Sequence, residues 1–294
     1  MTVCQDSLSD FHRTFQSSGL SATLILQFRN IIYQHYADQG RDLPWRQTHD
    51  PYEILISEIM LQQTQVERVL GQYGPFLQKF PNFQVLAQAP LAEILAAWQG
   101  LGYNRRAQAL QRLAQQVVRQ YQGRLPAERA SLEDLPGIGA ATAGALLAFA
   151  FEQPVVFLET NIRRVYLHFF YPEAEAVSDK MLLPLILMTL DVQQVRPWYY
   201  ALMDYGAMLK KTGLNPNRRS AHYQRQSPFP GSDRELRSRI LRLFLTHAEM
   251  PEEAIVARLA DGRVPRLLQD LLREKFLLQE NGFYRLATGL EGTF

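Results

Sequence analysis

Residues 135–146 read Leu135-Pro-Gly-Ile-Gly-Ala-Ala-Thr-Ala-Gly-Ala-Leu146. Behind Pro136, the glycines Gly137 and Gly139 flank Ile138, which predicts a tight hairpin after a helix ending near Asp134. A helix of small residues then starts at about Ala140 and runs on through Ala141. Backbone N–H groups at a helix N-terminus, beside a turn without bulky side chains, suit a phosphate. The Gly-Lys-Ser/Thr ending of a P-loop is missing, and no strand pattern precedes the glycines as in a dinucleotide-binding loop. A helix-hairpin-helix of this kind grips a nucleic-acid backbone without reading bases. On these residues alone, an ordinary Gly-rich turn between two helices fits the pattern equally.

The 294 residues allow two domains, or one large and one small. Thirty-one Lys and Arg against 29 Asp and Glu leave a net charge of +2, so composition alone does not point to nucleic acid. No apolar run reaches about 18 residues, so no transmembrane helix is expected. The opening Met-Thr-Val-Cys-Gln-Asp lacks a basic stretch before an apolar core, so no secretion signal is expected either. Cys4 is the only cysteine, which excludes internal disulfides and any site built on several cysteines. A reducing, cytoplasmic compartment fits.

From Ser21 to Leu214 the periodicity predicts helices with short connections. Leu24, Ile25, Phe28, Ile31, Ile32 and Tyr36 line one helix over 22–39. Further helices are predicted at 51–73 (one or a pair), 91–98, 105–121, 132–151, 184–192 and 198–211. Val155–Leu158 is too short for a helix, and Thr160 or Asn161 can cap a restart. Residues 215–233 turn polar and basic, with Pro216, Pro228, Pro230 and Gly231, as a linker does. Helices at 234–247, 251–260 and about 264–274 follow. Phe276–Ala287 then alternates around Asn281-Gly282, a type I′ hairpin signal. Three helices and a hairpin make a winged-helix pattern, which serves DNA or protein binding alike.

Two carboxylates stand out. Glu58 lies in Ile54-Leu-Ile-Ser-Glu-Ile-Met-Leu-Gln-Gln-Thr-Gln-Val66, flanked by apolar residues, where burial raises a carboxyl pKa. Gln62, Gln63 and Thr64 follow, and amides hydrogen-bond base edges well. A buried Glu satisfied by an arginine, with glutamines on a solvent face, is the bland alternative. Glu159 ends the apolar piece and precedes a helix start, where the macrodipole favours the ionised form. One neutral acid and one carboxylate suffice to cleave a glycosidic bond through an oxocarbenium-like transition state. Equally, Glu159 caps the helix or pairs with Arg163. Gly100-Leu-Gly-Tyr-Asn-Arg-Arg106 is a turn whose Leu101 and Tyr103 can wedge between bases and whose Arg105 and Arg106 can take phosphates, or a plain connection with solvated arginines. Pro44-Trp45-Arg46 reads as packing plus one buried ion pair.

Ser57–Val66, the Gly-Leu-Gly-Tyr turn, the Leu-Pro-Gly-Ile-Gly hairpin and Ala201-Leu-Met-Asp-Tyr-Gly-Ala-Met208, in that order and spacing, resemble adenine-specific mismatch DNA glycosylases of the MutY type. These belong to the helix-hairpin-helix base-excision superfamily that includes endonuclease III. The likeness covers roughly residues 22–212. It implies that Glu58 is the general acid that protonates the adenine, and that Glu159 stands where the family has an aspartate stabilising the sugar cation. It implies that Asn161 orients that carboxylate. Gln63, Leu101 and Tyr103 match residues that insert into the duplex around a flipped base. Three departures are visible. Ala141 stands where bifunctional relatives place a Schiff-base lysine. The segment Leu209–Ser220 lacks the four cysteines that hold an iron–sulfur cluster in the family. The tail is too short and differently patterned for the family's Nudix-like reader of 8-oxoguanine.

The expected fold is therefore all-α, with a glycosylase domain of two helical subdomains over 22–214, a basic linker over 215–233 and a winged-helix-like α+β module over 234–294. The expected protein is a monomeric, monofunctional glycosylase without cofactor or metal, acting on double-stranded DNA that contains a mismatch or lesion. Adenine opposite guanine or 8-oxoguanine is the expected target. Thymine or uracil excision on the same fold is the first alternative, and non-catalytic DNA binding the second. Glu58, Glu159 and Asn161 are the expected catalytic residues. Gln62, Gln63, Thr64, Leu101, Tyr103, Arg105 and the run Pro136, Gly137, Ile138, Gly139, Ala140 and Ala141 are the expected DNA contacts.

Overall fold

The structure, a computed structural model, describes the backbone of residues 2–224 and 228–287 and side chains from Leu8 onward. The side chain of Cys4, Arg225 of the expected linker and the last seven residues of the expected tail module lie outside the described residues. In chain order the α-helices run α1 Thr2–Ser18, α2 Ala22–Gln39, α3 Pro51–Leu61, α4 Val66–Lys79, α5 Phe83–Gln88, α6 Leu91–Ala97 and α7 Arg105–Tyr121. They continue with α8 Arg129–Glu133, α9 Ala140–Ala150, α10 Thr160–Phe170, α11 Asp179–Thr189, α12 Val195–Lys211 and α13 Asp233–Leu243. Then come β1 Glu249–Pro251, α14 Glu252–Leu259, α15 Val264–Arg273, β2 Leu277–Glu280 and β3 Phe283–Leu286. The fold is mostly helical with one small sheet, as the sequence predicts. Among the described residues no helix is long and apolar enough to cross a membrane.

Contacts divide the chain into two compact units: residues 1–54, 127–130 and 138–225, and residues 55–126, 131–137 and 226–294. The chain passes from one to the other inside α3 and within the hairpin, between Gly137 and Ile138.

The first unit is built on aromatic packing. On α2, Leu24, Phe28 and Ile32 recur at helical spacing and are buried, and Ser21 caps the helix by accepting the Leu24 N–H at 3.2 Å. Phe28 meets Phe11, Tyr166, Phe169, Phe170 and Trp198, with centroids 5.0–6.2 Å apart. Phe11 belongs to α1, a helix not among those predicted, although Leu8, Phe11 and Phe15 stand at helical spacing. Its segment is mostly polar, and Phe11 and Phe15 dock it on that cluster. Gly144 on α9 lets Phe157 pack directly on the helix, since a Cβ there would stand 2.2 Å from the Phe157 Cβ. Pro216–Arg219 forms a 3₁₀ turn held to this unit by Val177, whose N–H donates to the Arg219 carbonyl at 2.8 Å.

The second unit joins α4–α7 to the C-terminal helices and sheet. Ala107, Leu110, Ala114 and Val117 put an apolar stripe along α7. Of the two readings of 51–73 the pair of helices forms, because the chain turns at Gln62–Gln65, where Gln63 takes a left-handed φ of 54°. The Asn281-Gly282 turn has φ of 50° and 83°, as a type I′ hairpin requires. The sheet is antiparallel in the order β1-β3-β2, with Met250 opposite Tyr284 and Leu278 opposite Arg285. Strand β1, three residues long, gives no readable alternation. Leu236, Ile240, Ile255, Leu267, Leu268 and Leu271 fill the space beneath.

Asp204 on α12 fixes the entry to α3 within the first unit. Its carboxylate accepts Arg41 N–H at 2.9 Å, Arg41 Nε at 2.6 Å, and Arg46 Nη1 and Nη2 at 2.8 and 2.7 Å. Burial pushes this acid up, but the Arg46 hydrogen bonds and the Arg46 and Arg41 charges carry it below the ordinary carboxylate value. The ion pair expected around Arg46 is thus present and buried, with a second arginine added. Asp204→Asn leaves two guanidinium groups without their charge partner and is expected to cost about 3–5 kcal/mol at pH 7. Because the folded pKa is depressed, the contribution is complete above about pH 4 and disappears as pH falls through the folded value. Urea unfolding of wild type and variant at several pH values checks both: the gap is widest near neutrality and closes on acidification.

Candidate functional site

In the first unit the extended Val155–Leu158 delivers Glu159 to the N-cap of α10. Its Oε1 accepts the Asn161 and Ile162 N–H groups, both at 2.7 Å. Its Oε2 accepts Asn161 Nδ2 at 3.3 Å. Asn161 Oδ1 in turn accepts Arg164 Nη1 at 2.7 Å, and the same Nη1 donates to the Gly206 carbonyl at 2.7 Å. Arg164 is buried. A Cβ at position 206 would lie 2.4 Å from the Asn161 carbonyl oxygen, so α12 approaches this close only with glycine there. The carboxylate is therefore held by a chain of groups running back to α12.

Glu159 caps its helix, as one reading of the sequence expects, but Arg163 does not pair with it. Arg163 donates to Asp179 at 3.0 and 2.8 Å instead. Burial raises the Glu159 pKa, against the two backbone N–H bonds and the charges of Arg164 and Arg163.

In the second unit Glu58 is half-buried on α3, between buried Ser57 and Ile59. The open C-terminus of that helix is closed by Arg106. Its guanidinium donates to the carbonyls of Ile59 (2.8 Å), Met60 (2.9 Å), Leu101 (3.0 Å) and Gly102 (3.0 Å), and to Thr64 Oγ1 (2.9 Å). Burial lowers its pKa to about 10, still charged at neutrality. Arg106, expected as a phosphate ligand, is thus a structural clamp between α3 and the Gly100–Gly102 turn. Thr64 Oγ1 also donates to the Leu101 carbonyl at 3.2 Å.

The other residues singled out from sequence fall as follows. Gln63 is exposed, and Gln62 Nε2 lies 3.4 Å from the Gly137 carbonyl. Leu101 is only 3% exposed, so its side chain packs inside the unit rather than projecting from it. Tyr103 is half-buried with a left-handed φ of 50°. Arg105 is held by Glu274, Nε to Oε2 at 2.9 Å and Nη2 to Oε1 at 2.6 Å. Pro136 and Gly137 border a cavity of about 200 Å³ with Ile59, Gln62, Arg105, Arg106, Ala109 and Leu110.

Along the hairpin, Leu135 and Ile138 are buried anchors, while Gly137, Gly139, Ala140 and Ala141 are exposed. Gly137 has φ 83°, and a Cβ there would also press on the Ala109 Cβ at 3.1 Å. Gly139 caps α9. The structure thus gathers Gln62, Thr64, Leu101 and Gly137 in the second unit, and Glu159 and Asn161 in the first. Arg164, Arg234 and Glu274 escaped the sequence reading, which holds Gly206 only as part of the Ala201–Met208 motif. Only Arg164 left a local signal, one turn beyond Asn161 on the same helix.

The iron–sulfur cluster of the resembling family does not fit this chain. One cysteine cannot supply four thiolates, and Leu209–Ser220 contains none. Protein groups close that segment instead: buried Asn217 donates through Nδ2 to the Thr160 carbonyl at 3.1 Å. Among the described residues no group of three or more His, Cys, Asp or Glu side chains is placed to hold a metal ion.

Comparison with known proteins adds the following. The chain is 35% identical over 193 residues to the adenine DNA glycosylase of Buchnera aphidicola subsp. Baizongia pistaciae, matching 64% of this chain and 54% of that protein. It therefore spans about half the length of that relative. It is 34% identical over 265 residues to the adenine DNA glycosylase of Mycobacterium tuberculosis, matching 81% of this chain and 86% of that one. Among solved structures, a thermostable thymine-DNA glycosylase superposes with a TM-score of 0.57 at 29% identity, over 68% of this chain and 96% of that one. Residues 56–265 match the HhH-GPD superfamily base excision DNA repair protein family. The chain belongs to the HhH-GPD superfamily of base excision DNA repair proteins.

Proposed function

We propose that this protein is a monofunctional DNA glycosylase that hydrolyses the N-glycosidic bond of adenine mispaired with guanine or 8-oxoguanine in duplex DNA. The observation that carries the reading is the Glu159–Asn161–Arg164 chain of hydrogen bonds, which holds one carboxylate in a fixed orientation at a helix N-terminus. Adenine DNA glycosylases of two bacteria as relatives support adenine as the base. In this reading the adenosine nucleotide leaves the stack, because its glycosidic carbon is inaccessible inside the duplex. Glu58 donates a proton to the base, the C–N bond breaks, and the electron pair leaves with adenine. Glu159 stabilises the cationic sugar, with Asn161 fixing its orientation, and water adds to the sugar carbon, its released proton restoring the Glu58 carboxyl. Gly137, Gly139, Ala140 and Ala141 present backbone to a phosphate, and Gln62, Gln63, Thr64, Leu101, Tyr103 and Arg105 border the opened duplex. Leu101 reaches bases only if its turn shifts outward from the packing described above.

Glu58→Gln keeps shape and polarity without a proton to give. Single-turnover excision by this variant is expected to drop by about 10²–10⁴-fold with duplex affinity retained. A variant holding more than about a tenth of the wild-type rate removes Glu58 from this role.

Ala141 supplies no amine, so the product strand is expected to stay intact until heated in base. Borohydride added during turnover is expected to trap little covalent complex, and efficient trapping would identify another amine as nucleophile.

The likeness to a thymine-DNA glycosylase favours one rival specificity on the same fold. Single-turnover rates on A:G, A:8-oxoguanine, T:G and U:G duplexes separate the two. Adenine excision is expected to lead, and faster release of thymine or uracil assigns the rival.

A further inference from the structure

Within the second unit, the C-terminal module holds the Gly100–Arg105 turn at two points and the start of α7 at a third. Arg234, near the start of α13, donates through Nη1 to the Tyr103 hydroxyl, and its guanidinium carbon stands 4.9 Å from the ring centroid. Glu274, just past α15, takes both Arg105 nitrogens and a further bond from Arg237. Gln108, buried on α7, donates to the carbonyls of Glu274 and Lys275 at 3.1 and 3.0 Å. Tyr103 keeps a left-handed φ, a conformation that persists in a bulky residue only where its surroundings dictate it. Two guanidinium groups, those of Arg234 and Arg106, lie within 5.5 Å of its ring centroid.

Three arginines of the module are engaged by acids, while Arg239 and Arg242 on α13 are exposed. Arg237 is paired with Glu274, Arg263 with Asp233 and Asp261, and Arg266 with Asp233 and Asp270.

We propose that the C-terminal module is a positioning device for this turn. Arg234 positions Tyr103 and Glu274 positions Arg105, so the module favours binding at an opened base step rather than along intact duplex. The inference rests on the reading that the Gly100–Arg105 turn borders the opened duplex. It assigns Arg234 and Glu274 as positioning residues, neither touching the reacting atoms.

The test uses the full chain and two duplexes of one sequence, one intact and one with a tetrahydrofuran abasic analogue. The readout is the ratio of their dissociation constants at fixed salt. Arg234→Met and Tyr103→Phe are each expected to lower this preference about tenfold, and the double variant to lower it by about the same factor, because both remove one interaction. Arg234→Lys, which keeps a cation and a donor, is expected to recover part of the loss. Should Arg234→Met lose its fold by circular dichroism, Arg234→Lys is compared with Tyr103→Phe in the same cycle. Losses that multiply to about a hundredfold in the double variant overturn the proposal. So does an unchanged ratio in Arg234→Met, and so does equal weakening on both duplexes with a flatter salt dependence, the mark of a phosphate contact. A wild-type chain that prefers the analogue and shows the coupling, yet excises no adenine, leaves this inference standing and removes only the substrate assignment. A wild-type chain that does not discriminate the duplexes overturns this inference, and the excision rates alone decide the substrate assignment.

Discussion

One guanidinium sets the geometry of the second unit. A helix end leaves carbonyls without partners, and two of those at the end of α3 are met by Arg106. The same group reaches the carbonyls of Leu101 and Gly102 and the Thr64 hydroxyl. A helix carrying Glu58, the loop after it and the turn at Gly100–Gly102 are thereby referred to a single planar fork. Arginine suits this task better than lysine, because its donors diverge in fixed directions and serve several carbonyls at once. Burying a charge without a carboxylate is costly, and the lowered pKa reflects it. Five oxygens compensate that cost.

The first unit solves a comparable problem with an acid. Asp204 gathers Arg41 and Arg46, and two residues on, Gly206 brings the backbone of α12 against Asn161. The motif Ala201–Met208 thus does two jobs on one helix. Asp204 fixes the segment entering α3, and Gly206 backs the residue that orients Glu159. Close helix packing and a held carboxylate are here the same feature.

What the sequence made legible follows the range of the interactions. The hairpin, α2, α7 and the Asn281-Gly282 turn depend on neighbours within a few residues, and their patterns are plain. The contact between Glu159 and Asn161 is equally local, spanning two positions. Pairings across the chain left no such trace. Arg105 finds Glu274 across 169 positions, and Arg234 finds Tyr103 across 131. Arg106 shows why residue type alone misleads, since the guanidinium that suits a phosphate also suits a row of carbonyls. Leu101 is similar, because an apolar residue in a Gly-rich turn fits a wedge and a core anchor alike. Helix α1 carries its signal in few residues: Leu8, Phe11 and Phe15 stand at helical spacing in an otherwise polar segment.

The bare backbone at Gly206 has a practical corollary for anyone dissecting this protein by side-chain removal. Scanning by alanine finds positions where a functional group is deleted, and glycine has none to delete. At this position alanine instead adds one carbon, directly against the peptide of Asn161. The affected property is the direction in which a carboxylate two residues away points, not the inventory of groups around it. Intact chemistry, misaimed by an added methyl, is easily mistaken for a lost catalytic residue on a different helix.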